Sequence, residues 1–296
     1  MKRRAKPILI ALAIDTVLGD PPNALHPVVA MGRWLTFGAH LAPQNNYGRL
    51  LWGGGWLLSG LGLSAAAGAL VPCQLLVEGS AISLLFSYKA LDRAVGQIQA
   101  TLAAGDLDEA RRLLSWHLVS RPTAGIDAAH VAAAAIESLG ENLSDSVVAP
   151  LCWYMVGGLP VLAAYRFSNT ADAMWGYHDE RYEHLGKVAA RVDDALNWVP
   201  ARLTAVLIVL AAQVVNGRGR AAWSVARRDA GNTASPNAGW PMAALAGALD
   251  TTLIKIGHYR LGNGASHPDV ARIAEARRIV RCGVGMIVGV GLLAAH

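Results

Sequence analysis

Leu50-Leu51-Trp52-Gly53-Gly54-Gly55-Trp56-Leu57-Leu58-Ser59-Gly60-Leu61-Gly62-Leu63-Ser64-Ala65-Ala66-Ala67-Gly68-Ala69-Leu70-Val71-Pro72 holds no charged residue. It is long enough to cross a hydrocarbon core of about 30 Å as a helix. Gly60, Ser64 and Gly68 recur every four residues, the spacing that lets two membrane helices approach closely. The rest of the chain agrees with that reading. Of 296 residues, 53% are hydrophobic and 16% charged, with a mean hydropathy of +0.33. Soluble domains carry about 25% charged residues.

A second apolar segment, Leu75–Leu91, predicts a helical hairpin turning near Pro72. Before it, Pro7–Leu18 follows a basic tail but has no small-residue cleavage site after it. It reads as retained and too short to span alone. Ser146–Tyr165 is apolar but interrupted by Pro150, Gly157, Gly158 and Pro160, which predicts a re-entrant segment. Val199–Val215 and the stretch from Ile279 onward complete the apolar segments, the last with Gly285 and Gly289 in a GxxxG spacing.

Residues 92–144 read as a helical polar insertion within a single domain spanning 1–296. Asp106 with Glu109 makes a helix start, a second helix starts at Asp127, and Gly140 is placed as its stop. The fold class expected is all-α: a polytopic membrane helix bundle with a polar helical subdomain.

The net charge is +5 and the pI near 9.3, but no basic patch with interleaved aromatics is present. Anionic lipid headgroups or phosphorylated small substrates fit this charge better than nucleic acid. The basic residues between 218 and 278 form a long loop region that is cytoplasmic by the positive-inside rule. The N-terminal tail and 92–144 are basic too, so the span count stays open. Cys73, Cys152 and Cys282 have no metal-ligand or disulfide spacing and read as buried small hydrophobes.

Four polar clusters interrupt the apolar sequence. Asp15, Gly19-Asp20-Pro21 and His26-Pro27 form the first, either a functional acidic group or a helix end with a proline turn. Glu137, Glu141 and Asp145 form the second, four apart, so that a continuous helix aligns them. Like charges there need a compensating cation such as Mg²⁺; a solvated acidic face is the alternative.

The third cluster is the densest. It holds Arg166, Asn169, Asp172, Tyr177, His178, Arg181, Arg191, Asp193, Asp194, Asn197 and Arg202. Arginines beside carboxylates at a membrane boundary suit phosphate with metal, and structural ion pairs are the alternative. The fourth, Ser235-Pro236-Asn237-Ala238-Gly239-Trp240, is a turn rich in hydrogen-bonding groups. No P-loop, no G-x-S-x-G elbow and no H-E-x-x-H occurs.

Read in order, these motifs resemble the adenosylcobinamide-phosphate synthase family, CobD/CbiB, over nearly the whole chain. The resemblance is carried by Leu18-Gly19-Asp20-Pro21, His26-Pro27-Val28, Glu137-Ser138-Leu139, Glu141-Asn142-Leu143-Ser144-Asp145 and Val148-Ala149-Pro150-Leu151. Gly158-Leu159-Pro160, Asn169-Thr170, Gly176-Tyr177, Ala190-Arg191-Val192-Asp193-Asp194, Pro200-Ala201-Arg202 and Ser235-Pro236-Asn237 continue it. The chain departs from the family at Pro122, Gly140 and Ala173, where Asp, Ala and Ser are usual.

The resemblance implies a multi-pass enzyme of the cytoplasmic (inner) membrane. Its reaction would be ATP-dependent condensation of adenosylcobyric acid with (R)-1-amino-2-propanol phosphate or ethanolamine phosphate. Lipid bilayer and other membrane proteins of the same pathway are the partners it implies, with no nucleic acid. On that chemistry Glu137, Glu141 and Asp145, or Asp193 and Asp194, hold Mg²⁺ on the nucleotide. Arg166, Arg181, Arg191 and Arg202 meet phosphate, and Asp172 or His26 accepts the amine proton. Asn169, Tyr177, Ser235 and Asn237 bind substrate. A transporter, or a corrinoid-binding membrane protein without catalysis, is the competing class.

Overall fold

The computed structural model describes residues 2–22, 24, 26–177 and 179–295. The chain is helical almost throughout. Among the described residues four helices are long and apolar enough to cross a membrane: Asn46–Ala69, the run Ala128–Trp175, Lys187–Asn216 and Val270–Ala295. It divides into two compact units.

The first unit comprises residues up to 87, 149–197 and those from 291 on. It contains α1 (Lys2–Val17), α2 (Pro27–His40), α3 (Asn46–Ala69), α4 (Leu75–Ser83) and α8 (Ala149–Trp175). It also holds the first part of α9 (Lys187–Asn216) and the last turn of α12 (Val270–Ala295). Its core is Leu35, Leu57, Phe167, Ala171, Trp175, Leu185 and Ala189.

The glycine face of α3 makes that core. A Cβ on Gly60 would stand 1.9 Å from Phe167 Cζ, and one on Gly68 would stand 2.8 Å from the Leu159 carbonyl oxygen. The four-residue glycine spacing therefore marks where α3 closes on α8. On the neighbouring face Trp56 stacks on Trp34 at 4.6 Å between ring centroids, its indole N–H donating to the Trp34 carbonyl at 3.1 Å.

One expectation for this unit is corrected. The segment after Pro72 does not hairpin with α3: α4 ends at Ser83 and packs on α1, where a Cβ on Gly79 would meet Ile10 Cγ2 at 2.5 Å. Within the apolar segment Ser146–Tyr165, α8 is interrupted at Gly158, at φ 73° and ψ −162°. Pro160 lacks an N–H for the preceding turn, and Arg4 Nη1 donates to the Met155 carbonyl there at 2.6 Å.

The second unit comprises 88–148 and 198–290. Its helices are α5 (Tyr88–Ala103), α6 (Leu107–His117), α7 (Ala128–Leu143), α10 (Gly219–Asp229) and α11 (Gly239–Ala248), with most of α9 and α12. A short antiparallel hairpin, β1 (Leu253–Lys255) and β2 (Tyr259–Leu261), precedes α12. The α7 helix is central, with every residue from Val131 to Gly140 buried. The small side chains of Ala132–Ala135, with Ser138 and Gly140, let α5, α6, α11 and β1 pack round it.

The caps fall where the sequence puts them: Asp106 accepts from the Glu109 N–H at 3.0 Å, and Asp127 from that of His130 at 2.8 Å. Gly140 is no stop. The α7 helix runs on through a π-helical turn, Ser144–Val148, and Gly140 is where the Pro241 backbone of α11 comes close. The basic stretch 218–278 is not a loop; it folds as α10, α11, the hairpin and the start of α12. Gly285 and Gly289 meet nothing within 4 Å among the described residues. Cys73 is exposed, against expectation, and Cys152 and Cys282 are half-buried.

Candidate functional site

In the first unit the polar centre lies between α8 and the start of α9. Asp193 and Asn197 are one turn apart on α9, 7% and 2% exposed. Asn197 donates through Nδ2 to Asp193 Oδ2 at 2.9 Å and accepts the Tyr165 hydroxyl at 2.9 Å. Asn169, one turn along α8 from Tyr165, also hydrogen-bonds Asp193 and accepts from Arg166 Nη1 at 2.9 Å. Asp172 sits close enough for its charge to act on Asp193. Asp193 Oδ1 is buried with no hydrogen-bond partner.

Local sequence builds this centre. Pro200 has no N–H for the Leu196 carbonyl one turn back, and the indole N–H of Trp153 donates to that oxygen at 3.2 Å. Trp153 in turn stacks on Tyr165, 6.5 Å between centroids. Gly176 leaves room for Asp172: a Cβ there would lie 2.3 Å from the Asp172 Oδ1.

His26 borders the centre as the N-cap of α2, its Nδ1 accepting the Val28 N–H at 3.2 Å. Burial holds this imidazole below its ordinary pKa; the Asp20 carboxylate works against the lowering and the Arg166 guanidinium adds to it. With Nδ1 accepting, the neutral ring carries its proton on Nε2, so its outward nitrogen is a donor.

Arg181 and Arg191 lie outside this network. Arg181 is exposed and stacks on Tyr182 at 5.1 Å, while Arg191 reaches Asp194 at 3.8 Å with its side chain mostly in solvent. Tyr177 is exposed too, and His178 lies outside the described residues.

In the second unit Glu137 is 5% exposed on α7. Arg121 approaches it at 3.9 Å, the Tyr259 hydroxyl hydrogen-bonds it, and Glu141 and Lys255 act on it through their charges. Its Oε1 has no hydrogen-bond partner. Burial, then the charges of Glu137 and Glu141, raises the pKa of the Tyr259 phenol. Asp145 falls within the π-helical turn and is half-buried.

Arg202 lies over Trp198 and Trp240, at 4.2 and 5.0 Å, and donates to Asn237 Oδ1 at 3.3 Å. Ser235 Oγ accepts the Asn237 N–H at 3.2 Å, which makes its stretch the turn expected. Among the described residues no three His, Cys, Asp or Glu side chains are grouped to hold a metal ion.

Tyr165 stands at the head of the third polar cluster in the sequence, one turn before Asn169, a position to which sequence alone assigns no role. Tyr259 has no signal in the sequence, because the hairpin that brings it to α7 is distant along the chain.

These features define a membrane protein that is helical but for one short hairpin, with carboxylates and amides buried among its apolar helices. The chain belongs to the CobD/CbiB family, whose model, described as CobD/Cbib protein, matches residues 8–282. It is 40% identical to the cobalamin biosynthesis protein CobD of Geobacter metallireducens, over 83% of this chain and 80% of that one. The CobD of Chromobacterium violaceum is 38% identical over 97% of this chain and 95% of its own. A probable CobD of the archaeon Methanothermobacter thermautotrophicus is 36% identical, over 92% and 91%. No solved structure matches.

Proposed function

We propose that this chain is an adenosylcobinamide-phosphate synthase of the cytoplasmic membrane. It would join (R)-1-amino-2-propanol phosphate or ethanolamine phosphate to the free carboxylate of adenosylcobyric acid at the expense of ATP. The observation that carries the reading is the buried centre Arg166–Asn169–Asp193–Asn197–Tyr165, with Asp172 beside it, in a member of the CobD/CbiB family.

A carboxylate is a poor acyl donor because oxide cannot leave. Transfer of the γ-phosphoryl group to a carboxylate oxygen releases ADP and gives an acyl phosphate. The amine then attacks the carbonyl carbon, inorganic phosphate departs, and one amine proton must be removed. Asp172 is the acceptor this reading favours, since His26 offers a donor nitrogen on that side. Arg166, fixed by Asn169, supplies a planar cation for the phosphoryl oxygens.

Mg²⁺ would neutralise charge on the transferring phosphate. It keeps several waters and needs only one or two protein carboxylates beside substrate phosphates, so the lack of a three-ligand cage among the described residues is compatible with it. Asp193 fits that demand, its buried Oδ1 making no hydrogen bond within the protein, and this leaves Asp172 as the base. Glu137 with Glu141 is the other carboxylate candidate of the right kind.

The test is purified, detergent-solubilised protein incubated with adenosylcobyric acid, MgATP and aminopropanol phosphate, followed by corrinoid mass. An ATP-dependent mass gain equal to amide formation supports the reading, and an unchanged corrinoid that still binds refutes it. Asp193→Asn should raise the Mg²⁺ concentration needed for half-maximal turnover, whereas Glu137→Gln should not if Asp193 is the ligand.

A further inference from the structure

A cavity of about 230 Å³ lies within the second unit, at the N-terminal end of α7 and beside the hairpin, and no residue given a role above lines it. Its apolar lining includes Ala133 and Ile254, and its polar lining Arg260, His130, His267 and Ser266, with Ile254 paired across the hairpin with Arg260; no carboxylate lines it. We infer that this cavity binds a short alkyl phosphate monoester, its phosphate on Arg260 and the imidazoles and its carbon chain on Ala133 and Ile254.

Three observations carry this. First, Arg260 is uncommitted. Its neighbours in the unit are paired: Arg218 with Asp250, Arg228 with Asp229, Arg272 with Glu275. Arg260 has no carboxylate partner among the described residues. An arginine fork lining a cavity without an anion of its own suits a phosphate.

Second, the ring of His130 is fixed. Asp127 accepts both the His130 backbone N–H and its Nδ1–H, at 2.8 and 2.7 Å. The ring therefore meets a phosphate as imidazolium, one N–H on Asp127 and the Nε2–H on the ligand, a form that a bound phosphate anion itself favours.

Third, the wall-forming loop is preformed. Gly264 lies against the Asp250 carbonyl, where a Cβ would come within 2.0 Å of backbone. The Ser266 N–H donates to Asp250 at 3.1 Å, and the Thr251 hydroxyl donates to the Ser266 carbonyl at 2.7 Å. A site already folded spends little affinity on ordering.

Size selects the ligand. Pockets for drug-sized molecules run from about 300 to 1,000 Å³, and this one is smaller, so a short monoester fills it whereas a whole nucleotide would extend past its walls into solvent. Identifying the monoester with the aminoalkyl phosphate rests on the reaction proposed above; the binding itself does not.

The test is calorimetric titration of the full-length protein in detergent with ethanolamine phosphate, inorganic phosphate and MgATP, each without corrinoid. Wild type should bind both phosphates. Arg260→Gln, with an unchanged melting midpoint, should weaken ethanolamine phosphate by about tenfold or more and leave MgATP unchanged. Equal monoester affinity in wild type and Arg260→Gln overturns the site. So does the absence of monoester binding to wild type, or a loss confined to MgATP. If Arg260-dependent binding persists but no amide ever forms, the ligase reading fails and the site stands. Amide formation with Arg260-independent binding sinks the site alone.

Discussion

Gly60→Ala adds a single carbon to α3 in a place where none fits. That Cβ would lie 1.9 Å from Phe167 Cζ. Carbon contacts settle near 3.5 Å, so the ring or its helix must retreat by about 1.6 Å. Phe167 is fully buried in a core of Leu35, Leu57 and Trp175, which leaves the ring no side to move to. Overpacking of this kind costs about 1–3 kcal/mol, partly offset by about 1 kcal/mol of better helix propensity.

The larger effect should be on turnover. Phe167 is flanked on α8 by Arg166 and, two residues on, by Asn169. A misplacement of about 1 Å can cost around a hundredfold in rate. Gly62→Ala is the control on the same helix, since a Cβ there meets nothing within 4 Å. Melting in detergent and corrinoid mass should therefore give a lower midpoint and far lower turnover for Gly60→Ala. Gly62→Ala should match or exceed wild type in stability. Pairing Gly60→Ala with Phe167→Leu should restore part of both losses. Equal behaviour of the two alanine variants would refute the close approach of α3 to α8.

Asp92 is hydrogen-bonded by Arg277 at 3.0 Å and by Arg281 at 2.8 Å. Burial pushes its carboxyl upward, but the two guanidinium hydrogen bonds outweigh that and hold it below the ordinary carboxylate value. A depressed pKa stabilises the fold above the unfolded value and loses that contribution as pH falls through the folded one. Asp92→Asn should thus cost about 1–3 kcal/mol at neutral pH, with the gap from wild type closing below about pH 4; a gap that persists unchanged in acid melts would contradict this. His26→Ala should lose about 1 kcal/mol as a lost helix cap, while His26→Asn should restore both midpoint and turnover. A stable but inactive His26→Asn protein would show that the imidazole handles a proton after all. Tyr165→Phe removes a donor to Asn197 and should destabilise by about 1–3 kcal/mol, seen as a lower midpoint with the Mg²⁺ requirement unchanged.

What the sequence made legible was whatever depends on neighbours along one helix. Asp106 and Asp127 cap helices because a carboxylate three residues before an N–H is local geometry. Asp193 and Asn197 face together because they are one turn apart. Gly60 and Gly68 marked a real close approach, yet Gly285 and Gly289, equally spaced, approach nothing within 4 Å. Spacing gives permission for contact and not a partner.

Gly140 looked like a stop because glycine commonly ends helices; here its missing side chain admits the Pro241 backbone, a tertiary fact. The segment after Pro72 misled for a similar reason. Its apolar length resembled a span, but α4 ends after nine residues and finds α1. Tyr259 reaches Glu137 only through a hairpin far along the chain, which no local pattern announces.

The loan of the Trp153 indole hydrogen to the carbonyl that Pro200 abandons has a historical side. A proline arising at 200 in an ancestor without a donor at 153 would have left a half-buried oxygen unanswered, a loss of up to about 1–3 kcal/mol. The tryptophan could come first without harm, whereas the proline could not. Among descendants the pair should therefore be inherited asymmetrically: lineages with Trp153 and no proline are viable intermediates. Lineages with the proline alone should be scarce, or carry another donor facing Leu196.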